Sequence, residues 1–568
     1  MRVWEYDRLN SSVWQVDIFL PGNGALYVHP KVTNTRTTVC QGYWWTCVAV
    51  PVAPTTRVLV SSAYTAQTSV SPTTWSTWPN FAMGDPNSSF TGYQNRRTTD
   101  NSFLGAVTSG DFFMGPTAPD EHSISWATET GFVGYHGHVA KINGTKFFTW
   151  GQNGAGRFMQ DFLGGISGAA PIADADRTGD YAELQVGPAF TQMQTFDVNP
   201  GNAQAEQWTE FFGAFDGSPA VLLGDDYNAA LGAVSAWRTS PASGVSDSSI
   251  ADIDAFLTAL AEVPVDEVLF EGSPWGAVEL ARRAAPGGAQ NTLPFPPGVS
   301  FTSSSMDAAP WLELLSAEGT FSNATLSVEP TSYQVSAEWL AVLRASAAAH
   351  GSTWLHELHI AVILAEMGGV DEPRAGFAAS LAQRPSAVAA RCLAVLQATP
   401  PAARALFQTA WKTALAASAD PSFSRLQANL ADEIVKFELG LVQGSGDPAA
   451  LAELQAFLAA LPSAPGAAEL AMLDSVLVAR AELAVRAGDW QTAVGILTAD
   501  SAAGCFPTLG SARADLIDVW FRAQYLRVGA GKPLSPFEQR NVRVNNPVPR
   551  NIGCPYGGGD GYPDCVYW

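Results

Sequence analysis

The chain has 568 residues, enough for roughly three to five domains at ~100–200 residues each. Its 47% apolar and 15% charged residues, with 51 Gly and 37 Pro, exclude a disordered or a fibrous protein. Asp and Glu number 53 against 31 Lys and Arg, a formal charge of −22, so the surface repels phosphate backbones and anionic headgroups, and neither nucleic acid nor a membrane is an expected partner.

The opening MRVWEYDRLN lacks the roughly 7–15-residue apolar stretch of a signal peptide, and no run of ~18 apolar residues follows; the chain reads as soluble and cytoplasmic. Up to about residue 235 it is rich in Thr, Ser, Gly and aromatics, and its apolar residues alternate with the period of half-buried strands. Trp14, Val16, Ile18 and Leu20 share one face. Further strands are expected over Leu26–Val32, Thr38–Val50, Arg57–Ser61, Phe132–Ile142, Lys146–Trp150, Tyr181–Val186 and Trp208–Phe215. Many strands without intervening helices predict a large antiparallel sandwich over residues 1–240, while the Ser, Thr, Pro and Asn of residues 70–125 predict long surface loops.

After Ser240-Pro-Ala-Ser-Gly the composition turns to Ala, Leu and Glu, and Ile250–Val263 and Trp275–Ala285 take helical spacing. Residues 241–335 read as a helical and Pro/Ser/Gly-rich connector, residues 336–530 as an array of helix pairs, and 531–568 as an irregular tail. Ala365-Glu-Met-Gly-Gly-Val-Asp and Val485-Arg-Ala-Gly-Asp-Trp-Gln look like one turn used twice, Gly ending a helix and Asp capping the next, with Ala375 and Ala493 at the helix contacts. The pattern is that of a helical-hairpin solenoid of tetratricopeptide type. Six Cys show no paired C-x-x-C spacing, so no structural metal is expected; Cys554 and Cys565 could bridge within the tail.

Alternation along Tyr181-Ala-Glu-Leu-Gln-Val186 puts Tyr181, Glu183 and Gln185 on one face and Ala182, Leu184 and Val186 on the other. Glu183 then reads either as a general base on an open sheet or as a solvated outer-face glutamate. His136 and His138 share a face, as a proton-transfer or half-metal site or as hydrogen-bonded structural histidines. His356 and His359 sit on an apolar helix and read as structural. Trp44 and Trp45 must point to opposite faces, so one can stack on a sugar while the other joins the core. Neither a phosphate-binding Gly loop nor G-x-S-x-G is present.

Several blocks in order resemble a largely bacterial family that joins a galactose-mutarotase-like β-supersandwich to tetratricopeptide-type helices. They include Tyr43-Trp-Trp-Thr-Cys-Val-Ala-Val50, Gly134-Tyr…His138-Val-Ala, Phe148-Thr-Trp-Gly151, Asp180-Tyr-Ala-Glu-Leu-Gln-Val-Gly187, Glu271-Gly-Ser-Pro-Trp-Gly-Ala277 and Asn546-Pro-Val-Pro-Arg-Asn551. The resemblance implies a multidomain β + α architecture, with a sandwich incomplete at its N-terminal side followed by a helical-repeat domain. It also implies a saccharide ligand. Glu183 takes the place of the catalytic base, with His138 as its partner and Trp150, Asp161, Gln185, His136 and Trp44 or Trp45 around the sugar. The true mutarotase histidine is replaced by Trp44, so an epimerase or glycoside-processing enzyme without an organic cofactor is expected rather than an ordinary mutarotase. The rival expectation is a non-catalytic adaptor whose helical repeats bind a protein or peptide partner.

Overall fold

The computed structural model describes residues 1–67, 74–79, 100–115, 123–139, 142–151, 160, 180–201, 205–286, 288, 291–303, 305–416, 423–464, 466–471, 473–498, 514–530 and 532–545. Asp161 and the tail with Cys554 and Cys565 lie outside the described residues. The chain divides into two compact units, Met1–Ile166 with Pro171–Thr302, and Ser303–Trp568 with Ser167–Ala170.

The first unit contains strands β1 (Arg2–Asp7), β2 (Ser12–Phe19), β3 (Leu26–Asn34), β4 (Cys40–Gly42), β5 (Thr46–Val52), β6 (Arg57–Val60), β7 (Tyr64–Gln67) and β8 (Thr74–Thr77). It continues with β9 (Thr108–Met114), β10 (Ser123–Ala127), β11 (Phe132–His138), β12 (Gly144–Gly151), β13 (Asp180–Gly187), β14 (Phe196–Val198), β15 (Glu206–Gln207) and β16 (Glu210–Asp216). One sheet runs β1-β2-β3-β16-β11-β10-β6 with β15 beside β3, and the second runs β5-β13-β12-β9-β7-β8. The pairings in both are antiparallel.

The two sheets pack through Val58, Val60 and Ile124 of the first and Val50, Phe112, Met114, Phe147, Ala182 and Leu184 of the second. Phe112 and Phe147 stack with centroids 4.5 Å apart, a contact worth about 0.5–1.5 kcal/mol beyond burial. The far face of the first sheet, through Tyr27, Leu59, Val133, Tyr135 and Phe211, is covered by Val234 of helix Tyr227–Thr239 and Leu257 of helix Asp247–Leu260. The unit is thus layered sheet, sheet, helix, which leaves the outer face of the second sheet as the one facing away from this core.

The structure departs from the sequence reading at several points. Strands β8 and β9 lie within residues 70–125, expected as loops, and β10 begins there; Phe112, Phe113 and Met114 are all buried, so β9 carries no alternation to read. Helix Tyr227–Thr239, capped by Asp226 accepting from the Ala229 amide, begins before the composition shift at Ser240. Leu20, just past β2, is exposed, whereas in β2 Val13, Gln15 and Asp17 are buried along with Val16. The polar pair is held by Arg2, whose Nε donates to Asp17 at 2.8 Å, and by the Ala261 carbonyl, which accepts from Gln15.

In the second unit, helices follow one another and pack on their neighbours, Trp354–Glu366 on Asp371–Gln383, Ala387–Val395 on Pro400–Ala416, and Asp474–Arg486 on Trp490–Leu497. Asp489 caps the last of these by accepting from the Thr492 amide at 3.0 Å, and Gly368 and Gly488 end the preceding helices at φ +85° and +78°, but the expected cap at Asp371 does not form: Asp371 is the first residue of its helix and Val370 stands at the cap position with no side-chain hydrogen bond. Ala493 is buried at its helix contact, but Ala375 is exposed; its neighbour Gly376 is the residue that faces Ala361. His356 and His359 are buried. His356 joins Thr353 in a reciprocal cap and meets Ser346 Oγ at 2.9 Å, while the His359 ring packs on Trp311.

Candidate functional site

Antiparallel pairing puts directly opposed residues on the same face. Because Ala182, Leu184 and Val186 are buried against the sandwich core, Tyr181, Glu183 and Gln185 rise from the opposite side of β13. Register then adds Cys47 and Ala49 from β5, Lys146 and Phe148 from β12, and Asp111 and Phe113 from β9 to that side.

Glu183 is half-buried here. Its Oε2 accepts from Gln185 Nε2 at 2.6 Å and its Oε1 from the Tyr181 hydroxyl at 3.3 Å, and Trp150 Nε1 donates to that hydroxyl at 3.3 Å. Gln185 Oε1 in turn accepts from Gln192 Nε2 at 2.6 Å, and Gln192 Oε1 from the Lys146 ammonium at 2.5 Å. Lys146, with a side chain only 2% exposed, also donates to Asp111 and lies under Trp45 and Phe113, 5.9 and 5.2 Å from their ring centres. A carboxylate has about four lone-pair sites, and the described partners of Glu183 use two. The remainder can accept from a ligand hydroxyl or take a proton. Burial, then the Glu183 charge, pushes the Cys47 thiol up from its ordinary value, which keeps it a thiol rather than a nucleophilic thiolate. Burial likewise raises the Tyr181 phenol, consistent with its donating to Glu183.

Of the residues singled out in sequence, the structure brings Glu183, Gln185, Trp150 and Trp45 to this one face. Trp44 goes the other way, into a core with Val186, Ile142 and Trp208. His136 and His138 lie between the sheets, because Ile124, opposite His136 in register, points into the sandwich. His138 Nε2 meets Thr145 Oγ1 at 3.1 Å, and His136 Nε2 meets Glu210 Oε2 at 3.0 Å. The fully buried Glu210 also accepts from Trp208 Nε1 and Thr46 Oγ1. The two histidines therefore belong to a buried polar cluster separated from Glu183 by the second sheet. Among the described residues no three His, Cys, Asp or Glu gather as a metal site, and no helix is long and apolar enough to cross a membrane.

The whole-chain likeness is to a tetratricopeptide-repeat protein. This is a TPR-domain containing protein from Parabacteroides distasonis, matched at a TM-score of 0.55 and 15% identity over 97% of this chain and 74% of that one. Shorter matches, each over 38% of this chain, are the Slr1438 protein of Synechocystis (TM-score 0.25, 9% identity, 61% of that chain) and an Escherichia coli K12 protein assigned as an aldose 1-epimerase (TM-score 0.25, 10% identity, 64% of that chain). No protein-family model matches the sequence, and no curated protein does. The first match carries the fold assignment: antiparallel sheets followed by tetratricopeptide-type helices.

Sequence reading passed over Asp111, Lys146, Phe148 and Gln192. Lys146, Phe148 and Trp150 alternate within an expected strand, so two of the four were within reach. Asp111 stood in a stretch taken for loop, and Gln192 lies beyond any strand pattern.

Proposed function

We propose that the face around Glu183 binds a mono- or oligosaccharide and that Glu183 acts there as base or polar anchor in an epimerase-type or glycoside-processing reaction. The observation that carries this reading is the half-buried Glu183 carboxylate, held by two neutral donors on a sheet face turned away from the core, with Trp150 linked to it through Tyr181. The likeness of the Asp180–Gly187 block to the base-bearing strand of mutarotase-like proteins supports it. A carboxylate placed there can take the proton of a sugar's anomeric hydroxyl as the C1–O5 bond breaks and solvent water protonates the departing ring oxygen, the proton moves reversing on closure, provided that hydroxyl comes within about 2.6–3.2 Å. His138 and His136, enclosed between the sheets, are left out of this site.

Glu183→Gln keeps the shape and the hydrogen-bonding size of the side chain but removes the base. Turnover, followed by exchange NMR of a sugar panel, is expected to fall by about a hundredfold or more with the thermal midpoint unchanged. Undiminished turnover in that variant would end the catalytic reading.

The tetratricopeptide-type fold of the second unit favours a second role, an adaptor that grips a protein or peptide. Capture of one defined partner by full-length protein, undisturbed by Glu183→Gln, would support it.

A further inference from the structure

We infer that Asp111 is a second ligand-contacting carboxylate of the Glu183 face and that the ligand is an uncharged saccharide seated on Phe148; this rests on the saccharide reading above. Phe148 lies opposite Glu183 on one side and opposite Asp111 on the other. The three residues form one row across β13, β12 and β9, all rising from the same side. Two strand spacings separate the carboxylate-bearing residues, ~10 Å between backbones. The half-buried Phe148 ring stands between them, and Trp150 meets it edge-on with centroids 4.7 Å apart at 87°.

An aromatic ring flanked by acceptors suits a sugar, whose C–H face packs on the ring while hydroxyls at its two edges donate to the carboxylates. Asp111 is available for this. Among the described residues only its Oδ1 is engaged, by Lys146, and its side chain is 27% exposed. Lys146 itself is enclosed and also committed to Gln192, so it offers no open cation to a ligand. Charge sets the ligand class. Among the described side chains on this face, two carboxylates, Glu183 and Asp111, stand against the single Lys146 ammonium, and the chain carries −22 overall. A uronic acid or sugar phosphate would bring negative charge into a field of the same sign.

The test is a glycan array probed with the full chain, carrying neutral glycans beside their glucuronic-acid and sulfated counterparts, followed by calorimetry on the best neutral glycan. Asp111→Asn and Phe148→Ala are each expected to weaken that glycan by about ten- to a hundredfold, since a hydrogen bond to a charged group or a stacked ring is lost. Asp111→Asn should also narrow the discrimination against the glucuronic-acid counterpart, because one of the two carboxylates on this face is then neutral. Should Asp111→Asn fail to fold, the double variant Asp111→Asn with Lys146→Met leaves no buried ammonium unpaired, and the same loss of affinity is expected in it. If both Asp111 variants and Phe148→Ala bind as wild type while Glu183→Gln does not, the inference falls and the Glu183 reading stands. Preference for anionic glycans overturns the inference alone; binding of no glycan overturns both.

Discussion

Glu482 is enclosed in the helical unit, where its Oε1 accepts from Arg486 Nε at 2.7 Å and from Arg522 Nη1 at 2.9 Å. Burial alone would raise its carboxyl, but the Arg522 and Arg486 guanidiniums outweigh that and hold it below its ordinary value. Glu482→Ala removes the shared buried partner of two guanidiniums that are about one-third exposed, of which Arg522 keeps Asp518 and Arg486 keeps the Val442 carbonyl. They can rehydrate to some extent, so the expected loss is about 2 kcal/mol rather than the ~3–5 of a fully buried pair, measurable as a lower urea midpoint. Legibility at this scale depended on whether strand alternation identified the side turned away from the core. For Glu183 it did, since Ala182, Leu184 and Val186 had to be the core side. For His136 and His138 it showed a shared face and nothing about which face, because Gly134 and Gly137 blur the apolar pattern on both sides of β11. The adjacent Trp44 and Trp45 diverge as adjacency requires, and only packing decided that Trp44 is the one enclosed.

Whole elements were legible where apolar and polar residues divide between two sides. β13 and the helices Asp247–Leu260 and Pro274–Ala284 stand within three residues of their expected places. β9 and β10 were not, because they stand in and at the end of a stretch rich in Ser, Thr, Gly and Pro whose composition reads as loop, and the Phe112-Phe113-Met114 run of β9 shows no alternation. Tight element-to-element packing also sets a testable limit at Gly134 in β11, where an added Cβ would stand 2.0 Å from the Trp126 ring of β10. Gly134→Ala must therefore displace a half-buried indole or push the paired strands β10 and β11 apart, and it is expected to cost about 1–3 kcal/mol, seen as a lower thermal midpoint. An unchanged midpoint would mean the ring moves freely.

At the scale of the whole molecule, the two units are expected to fail at opposite ends of the pH range. Burial lowers His356 from 6.5 to about 4 and His359 from 6.5 to about 3. As pH falls below ~6.5 the unfolded chain binds protons that these folded histidines refuse, so the helical unit loses stability down to ~pH 3–4, with Glu482 adding its share below its ordinary value. In the first unit burial pushes Tyr227 up to about 12 from 10.0 and raises Tyr6 and Tyr27 as well. Their contribution is intact below pH ~10 and is lost as pH climbs from there through the folded values, because the unfolded chain then releases protons first. Segment-resolved hydrogen exchange at pH 5, 7 and 10.5 should show protection falling first after residue 303 in acid and before it in alkali; parallel loss in both units would contradict the assignment.

Local chemistry along the chain determined the β-then-helical order, the Asp489 cap and the division of β13 into a core side and an acid-bearing side, since each depends only on near neighbours and on the period of the backbone. Tertiary structure alone decided that helices cover one sheet and leave the outer side of the other facing away from the core. It also decided that Asp111 stands in the same row as Glu183 and that the paired histidines are sealed between sheets. Strand register joins residues far apart in sequence, and no local pattern encodes which distant strand a given strand will meet.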